Sequence, residues 1–203
     1  MREERRTTRG GEYASSDDFR RIFDENMNSL YLLAFLLTAD HGKAEQCFVT
    51  GLKDAVGGNP VFREWAHSWS RRMIIQNAVR LIKPRPGDAS SSLRSASVDS
   101  DYKTLPAQRH AEVSVVLGLE PFERIVYVVT GLEHYSDHEC SLLLGCAPRD
   151  VLPARIRALE EIGRQVEIQD RQLSSLSAQD PGLHDGRGAL IELTAAPPFV
   201  TSA

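Results

Sequence analysis

The chain has 203 residues, 41% hydrophobic and 26% charged, with a formal net charge of −4 at pH 7. That is ordinary globular composition, long enough for one large domain or two small ones, and its acidic balance is not the footprint of a general nucleic-acid binder. The longest apolar block, Leu30 to Leu37, is too short to cross a bilayer, and no apolar stretch follows Met1-Arg-Glu-Glu-Arg-Arg, so neither a membrane span nor a secretory signal is expected.

Residues 1–14 are polar and are expected to be disordered. Ser15 and Ser16 offer N-caps ahead of Asp17 and Asp18, which favour a helix N-terminus. One helix is predicted from there, carrying Phe19, Ile22, Phe23, Leu30, Leu33, Ala34 and Leu37 at three-and-four spacing. Tyr31, Leu32, Phe35 and Leu36 add a second apolar face, so its C-terminal half should be buried nearly all round until Asp40-His41-Gly42 breaks it. A second helix is predicted over 43–56 and stops at Gly57-Gly58-Asn59-Pro60. A third runs from about Pro60 to Lys83. Its Trp65 and Trp69, four apart, share a face that can close a three-helix core. Between Phe62 and Arg85 the basic residues are Arg63, Arg71, Arg72, Arg80, Lys83 and Arg85, against Glu64 alone. This locally basic helix fits either assisted nucleic-acid binding or a plain solvated face.

Residues 84–109 are rich in Pro, Gly, Ser and Asp and read as a linker; a second helical unit occupies 110–168; residues 169–203 read as a mostly unstructured tail. The fold class expected is all-α: two small helical domains, 15–83 and 110–168, on a flexible tether.

The second unit carries the most specific local signal. Ser136 with Glu139 has capping-box spacing, Gly145 suits the left-handed residue that ends a helix, and Pro148 suits the first turn of the next. Helix, tight turn, helix is the layout of a helix-turn-helix. Arg149, Arg155, Arg157 and Arg164 lie on the second of those helices, which in such motifs enters the major groove. Pro153 falls inside that helix, so a late start or a kink is expected.

Little else points to chemistry. His134, His138, Cys140 and Cys146 match no usual zinc spacing, and no phosphate loop, paired-histidine metal helix or nucleophile elbow is present. We expect no enzyme activity, cofactor, metal or small-molecule substrate. The odd count of three cysteines is simplest as reduced thiols in a cytoplasmic protein.

Two helical units in this order resemble a bacterial sigma factor of the extracytoplasmic-function type, in its domain two (about Asp17–Lys83) and domain four (about Ala111–Ile168). Leu119-Glu-Pro-Phe-Glu-Arg-Ile-Val-Tyr and Leu132-Glu-His-Tyr-Ser-Asp-His-Glu-Cys-Ser resemble the opening of domain four. Val151 and Arg157-Ala158-Leu159 fall where its recognition helix has a packed valine and an Arg-Ala pair. Leu30 to Thr38, Ala44-Glu45 and Trp65 to Asn77 resemble successive parts of domain two. The resemblance implies a transcription initiation protein whose partners are core RNA polymerase, promoter DNA and, in addition, an anti-sigma-like protein. It places DNA contacts on Arg149, Arg155 and Arg157 in domain four, and on Arg71, Arg72, Asn77 and Arg80 in domain two. Trp65 or Trp69 would stack on an unpaired base, unless both are core. The polymerase-clamp face falls on Glu45, Gln46 and Val49, where Gln46 and Val49 replace the family's usual Asp and Gln. Two rivals stand beside this reading: a sigma-derived regulator that no longer binds polymerase, and a helical protein-interaction module.

Overall fold

The computed structural model describes residues 12–87 and 113–178; the N-terminal residues 1–11, most of the expected linker and the tail beyond 178 lie outside the described residues. Every regular element described is helical, apart from an isolated bridge between Tyr13 and Phe62. No helix is long and apolar enough to cross a membrane among the described residues.

Helix α1 (Ser16–Glu25) begins at a reciprocal cap. The Ser15 hydroxyl accepts from the Asp18 N–H at 3.2 Å, and Asp18 accepts the Ser15 N–H at 2.9 Å. These bonds, with Arg63 reaching the same carboxylate at 3.1 Å, hold the Asp18 carboxyl down at about 2. The expected single first helix is in fact two, because Asn26 interrupts it. Its backbone leaves the helical range (φ −111°, ψ 20°), its side-chain amide joins its own N–H on the Ile22 carbonyl (2.9 and 3.0 Å), and α2 (Met27–Thr38) starts afresh. The second half of α2 is buried on nearly all sides, with Leu33, Ala34, Phe35, Leu36 and Leu37 all inside.

Ala39 takes a left-handed φ of 51° and ends α2, and the Asp40 carboxylate caps α3 (His41–Gly57) by accepting the Lys43 N–H at 2.8 Å. The break therefore sits at Ala39–Asp40, and His41 and Gly42 belong to the next helix. At Gly51 the absent side chain lets α3 approach α4 (Ala66–Ile82): a Cβ there would lie 2.6 Å from Ile74 Cδ1. The third helix starts later than its apolar pattern suggests. Residues 63–65 form a 3-10 turn, and this loop is pinned by Tyr13, whose neighbours bond across to it (Ala14 N–H to Val61 O and Arg63 N–H to Glu12 O, both 2.8 Å). Residues 12–14 of the expected disordered terminus are thus paired.

The second half opens with a helical turn at 113–117, followed by α5 (Pro121–Tyr127), which widens into a π-turn over Val128–Leu132. Arg124 is buried beneath it. Its guanidinium donates to the Leu119 carbonyl at 3.1 Å and is pulled down to about 10 by desolvation, which outweighs the opposing charge of Glu120. Then come α6 (Asp137–Leu144) and α7 (Pro148–Ala178). Helix α7 neither starts late nor ends at 168: it begins at Pro148, runs through Pro153 and continues to Ala178, into the stretch expected to be unstructured.

The two helical halves pack on one another. Helix α2 lies against α5 and α4 against α6, and Phe23, Leu30 and Ile74 share one buried cluster with Ile125, Val129 and Val151. The described residues up to Val166 form one compact unit, and those from Glu167 onward belong to a second.

Candidate nucleic-acid interface

The helix-turn-helix is built by local chemistry. Ser136 Oγ accepts the Glu139 N–H at 3.2 Å, and the Glu139 carboxylate accepts the Ser136 hydroxyl at 2.7 Å and its N–H at 2.9 Å, two bonds that hold the Glu139 carboxyl below its usual range. Gly145 takes φ 63° and returns its N–H to Ser141 O, and Pro148 opens α7. Cys140, Val151, Ala154 and Ala158 are buried where the two helices meet.

On this frame the three arginines expected at DNA have different surroundings. Arg149, in the first turn of α7, is exposed and makes no ion pair among the described residues. Arg155 Nη1 bonds Asp137 Oδ1 at 2.7 Å and ties α7 to the start of α6. Arg157 Nε bonds Glu123 Oε1 of α5 at 2.5 Å. Two of the three are therefore ion-paired within the domain, and Arg149 is the one of the three without an ion pair among the described residues. Arg164 is paired with Glu161 one turn away.

The outward face of α7 is not basic. Leu152, Ile156 and Leu159 are 46–52% exposed and, with Val166, make a three-and-four apolar stripe that the sequence reading passed over. The signal was present in that spacing, but only the burial of Val151, Ala154 and Ala158 on another face shows that this stripe is left outside.

Helix α4 separates the domain-two residues in the same way. Arg71 grips Glu133 from the second half in a bidentate pair, Nε to Oε2 at 2.7 Å and Nη2 to Oε1. The Arg72 guanidinium lies 6.0 Å from the centre of the Tyr135 ring. Asn77 is 9% exposed and donates to Asp54 Oδ2 at 3.0 Å and to Met73 O at 2.8 Å. Its amide faces the protein, not solvent. Arg80 Nη2 meets the same Asp54 oxygen at 2.5 Å. The bond from Asn77, aided by Arg80, holds the Asp54 carboxyl below its ordinary value.

The tryptophans do not share a core. Trp69 is half-buried against it, with Nε1 enclosed and without a hydrogen-bond partner among the described residues. Trp65 is 57% exposed in the 3-10 turn, edge-on to Phe62 at 5.2 Å, and Phe62 in turn stacks on Tyr13 at 4.9 Å. The reading that puts both in the core is corrected for Trp65. It precedes α4, so four-residue spacing no longer puts it above Trp69.

Glu45, Gln46 and Val49 come together on the exposed face of α3, opposite the buried Ala44 and Cys47. Burial drives the Cys140 thiol up to about 12, and no group of three or more His, Cys, Asp or Glu side chains is placed to hold a metal among the described residues.

No family model matches the chain, and none of the curated proteins does. Among solved structures it is similar to the sigma factor RpoE of Bartonella quintana, crystallised with the anti-sigma factor NepR. The identity is 16%, the match covers 75% of this chain and 98% of that one, and the TM-score is 0.47. A likeness of that size assigns no partner or activity to this chain.

Proposed function

We propose that the chain is a sigma-factor-like transcription initiation protein that binds core RNA polymerase and promoter DNA. The observation that carries this reading is a helix-turn-helix made by its own capping residues, with Arg149 exposed and without an ion pair among the described residues in the first turn of α7, where such a helix meets DNA. Exposed Trp65 at the head of α4 supplies a face for an unpaired base. The exposed Glu45, Gln46 and Val49 on α3 supply the polymerase surface. An anti-sigma-like protein is the third partner of this reading. The chain would carry out no bond chemistry and act in the cytoplasm.

A second reading has its own support. The exposed Leu152, Ile156 and Leu159 on α7, with Arg155 and Arg157 already paired, suit a helical module that binds protein without DNA.

Co-elution with bacterial core RNA polymerase at moderate and high salt separates the two. A stable complex, together with promoter-DNA binding that weakens steeply with salt and loses about one unit of salt slope in Arg149→Ala, supports the sigma reading. No complex at any salt and no DNA binding would remove it in favour of the protein-binding module.

A further inference from the structure

Beside the shared apolar core, the contact between the two halves includes residues of α4 that a nucleic acid would need. Arg71 and Glu133 lie 62 positions apart in sequence, yet their side chains are only 26% and 8% exposed. The guanidinium fork is filled by both carboxylate oxygens. The Nε/Nη2 edge so occupied cannot chelate a phosphate at the same time, and the Glu133 carboxylate beside it repels a second anion, so the two engagements compete. Arg72, the next residue, faces the Tyr135 ring two positions past Glu133.

The segment that grips them has an unusual backbone. Helix α5 widens into the π-turn over Val128–Leu132; Glu133 then bonds back through its N–H to Val128 O at 3.0 Å, and Tyr135 through its N–H to Val129 O at 3.1 Å. Between them His134 takes φ 59°, a left-handed conformation uncommon for a residue with a side chain. That kink separates Glu133 from Tyr135 so that each meets a different arginine of α4. Strain of this kind persists only where the surroundings enforce it.

We propose that Glu133 and Tyr135 form an internal latch: they occupy Arg71 and Arg72 and keep the two halves closed, and release of this latch frees the α4 arginines for a nucleic-acid phosphate. The second part rests on the reading of α4 as a DNA-facing helix given above. The first part, closure by the latch in addition to the shared apolar core, stands on the ion pair without that reading.

The test measures opening and binding separately. Spin labels at Lys53→Cys on α3 and Glu160→Cys on α7, both exposed, are placed in a Cys146→Ser background, where the remaining Cys47 and Cys140 are buried. Distance distributions are recorded by double electron–electron resonance for the parent, Glu133→Gln and Arg71→Gln. Affinity for a fluorescein-labelled duplex with an unpaired central bubble is measured by anisotropy. Glu25→Gln, which makes the same charge change on exposed α1, serves as the control.

The latch predicts an open population at least about tenfold larger in both latch variants. It also predicts several-fold tighter DNA binding in Glu133→Gln than in Glu25→Gln, and no such gain in Arg71→Gln, which opens but lacks the cation. An unchanged distance distribution in Glu133→Gln overturns the latch, whatever the DNA result. Opening with no DNA binding by any variant upholds the latch as a closure and instead removes the promoter reading. If Glu133→Gln does not fold, Glu133→Asp, which keeps the charge but shortens the reach, is expected to open in the same direction.

Discussion

Replacing Asn77 by alanine asks directly whether that residue reads DNA or holds α4 to α3. In the structure its amide is 9% exposed and makes two bonds, to the Asp54 carboxylate at 3.0 Å and to the Met73 carbonyl at 2.8 Å. A hydrogen bond to a charged group contributes about 1.5–3 kcal/mol, whereas the Met73 carbonyl sits within α4 and its loss adds little. The expected destabilisation is therefore about 2–3 kcal/mol, which for a chain of this size lowers Tm by roughly 4–12 °C. Calorimetry of the wild type, Asn77→Ala, Asp54→Ala and the double variant measures it. The double variant should be less destabilised than the sum of the singles, since both remove one bond. The deficit should also depend on pH. Asn77 is the largest influence lowering the Asp54 carboxyl, so its contribution is fully present above the unfolded value near pH 4 and is lost as the pH falls through the native one. A variant with wild-type Tm and reduced affinity for promoter DNA would refute this reasoning and return Asn77 to the DNA surface.

Gly145→Ala should cost about 1 kcal/mol and be read as a lower urea midpoint with unchanged m-value. Nothing lies near the new Cβ, so the left-handed φ of 63° accounts for the whole effect. Gly51→Ala places a methyl 2.6 Å from Ile74 Cδ1 and should destabilise by about 1–2 kcal/mol, net of its better helix propensity; adding Ile74→Val should recover part of that loss in the same melt. Trp69→Ala should lower stability by about 2 kcal/mol or more, since it removes a large ring packed on the core. Trp65→Ala should change stability by less than about 1 kcal/mol, yet weaken binding to single-stranded DNA by roughly 1–3 kcal/mol in anisotropy titrations.

The sequence by itself determined what depends on neighbours a few residues away. Ser136 with Glu139, Gly145 and Pro148 specify α6, its end and the start of α7, because capping, left-handed backbone and a missing N–H are local properties. The Gly57-Gly58-Asn59-Pro60 stop and the heavily buried second half of α2 were legible for the same reason. Periodicity misled where one polar side chain outweighed it. Asn26, its side chain bonded back to the Ile22 carbonyl, leaves the helical backbone range and splits the first helix, and the loop held by Tyr13 keeps Trp65 out of α4. Tertiary structure alone decided which charged residues are available. Arginines look alike along a chain, and only folding brings Glu133 to Arg71, Asp137 to Arg155, Glu123 to Arg157 and Asp54 to Asn77, partners 18 to 62 positions apart. Hydrogen bonds act over about 3 Å of space and take no account of separation along the sequence. The candidate site was therefore visible as a set of residue types, while the division between Arg149 in solvent and Arg71 under Glu133 belongs to the fold.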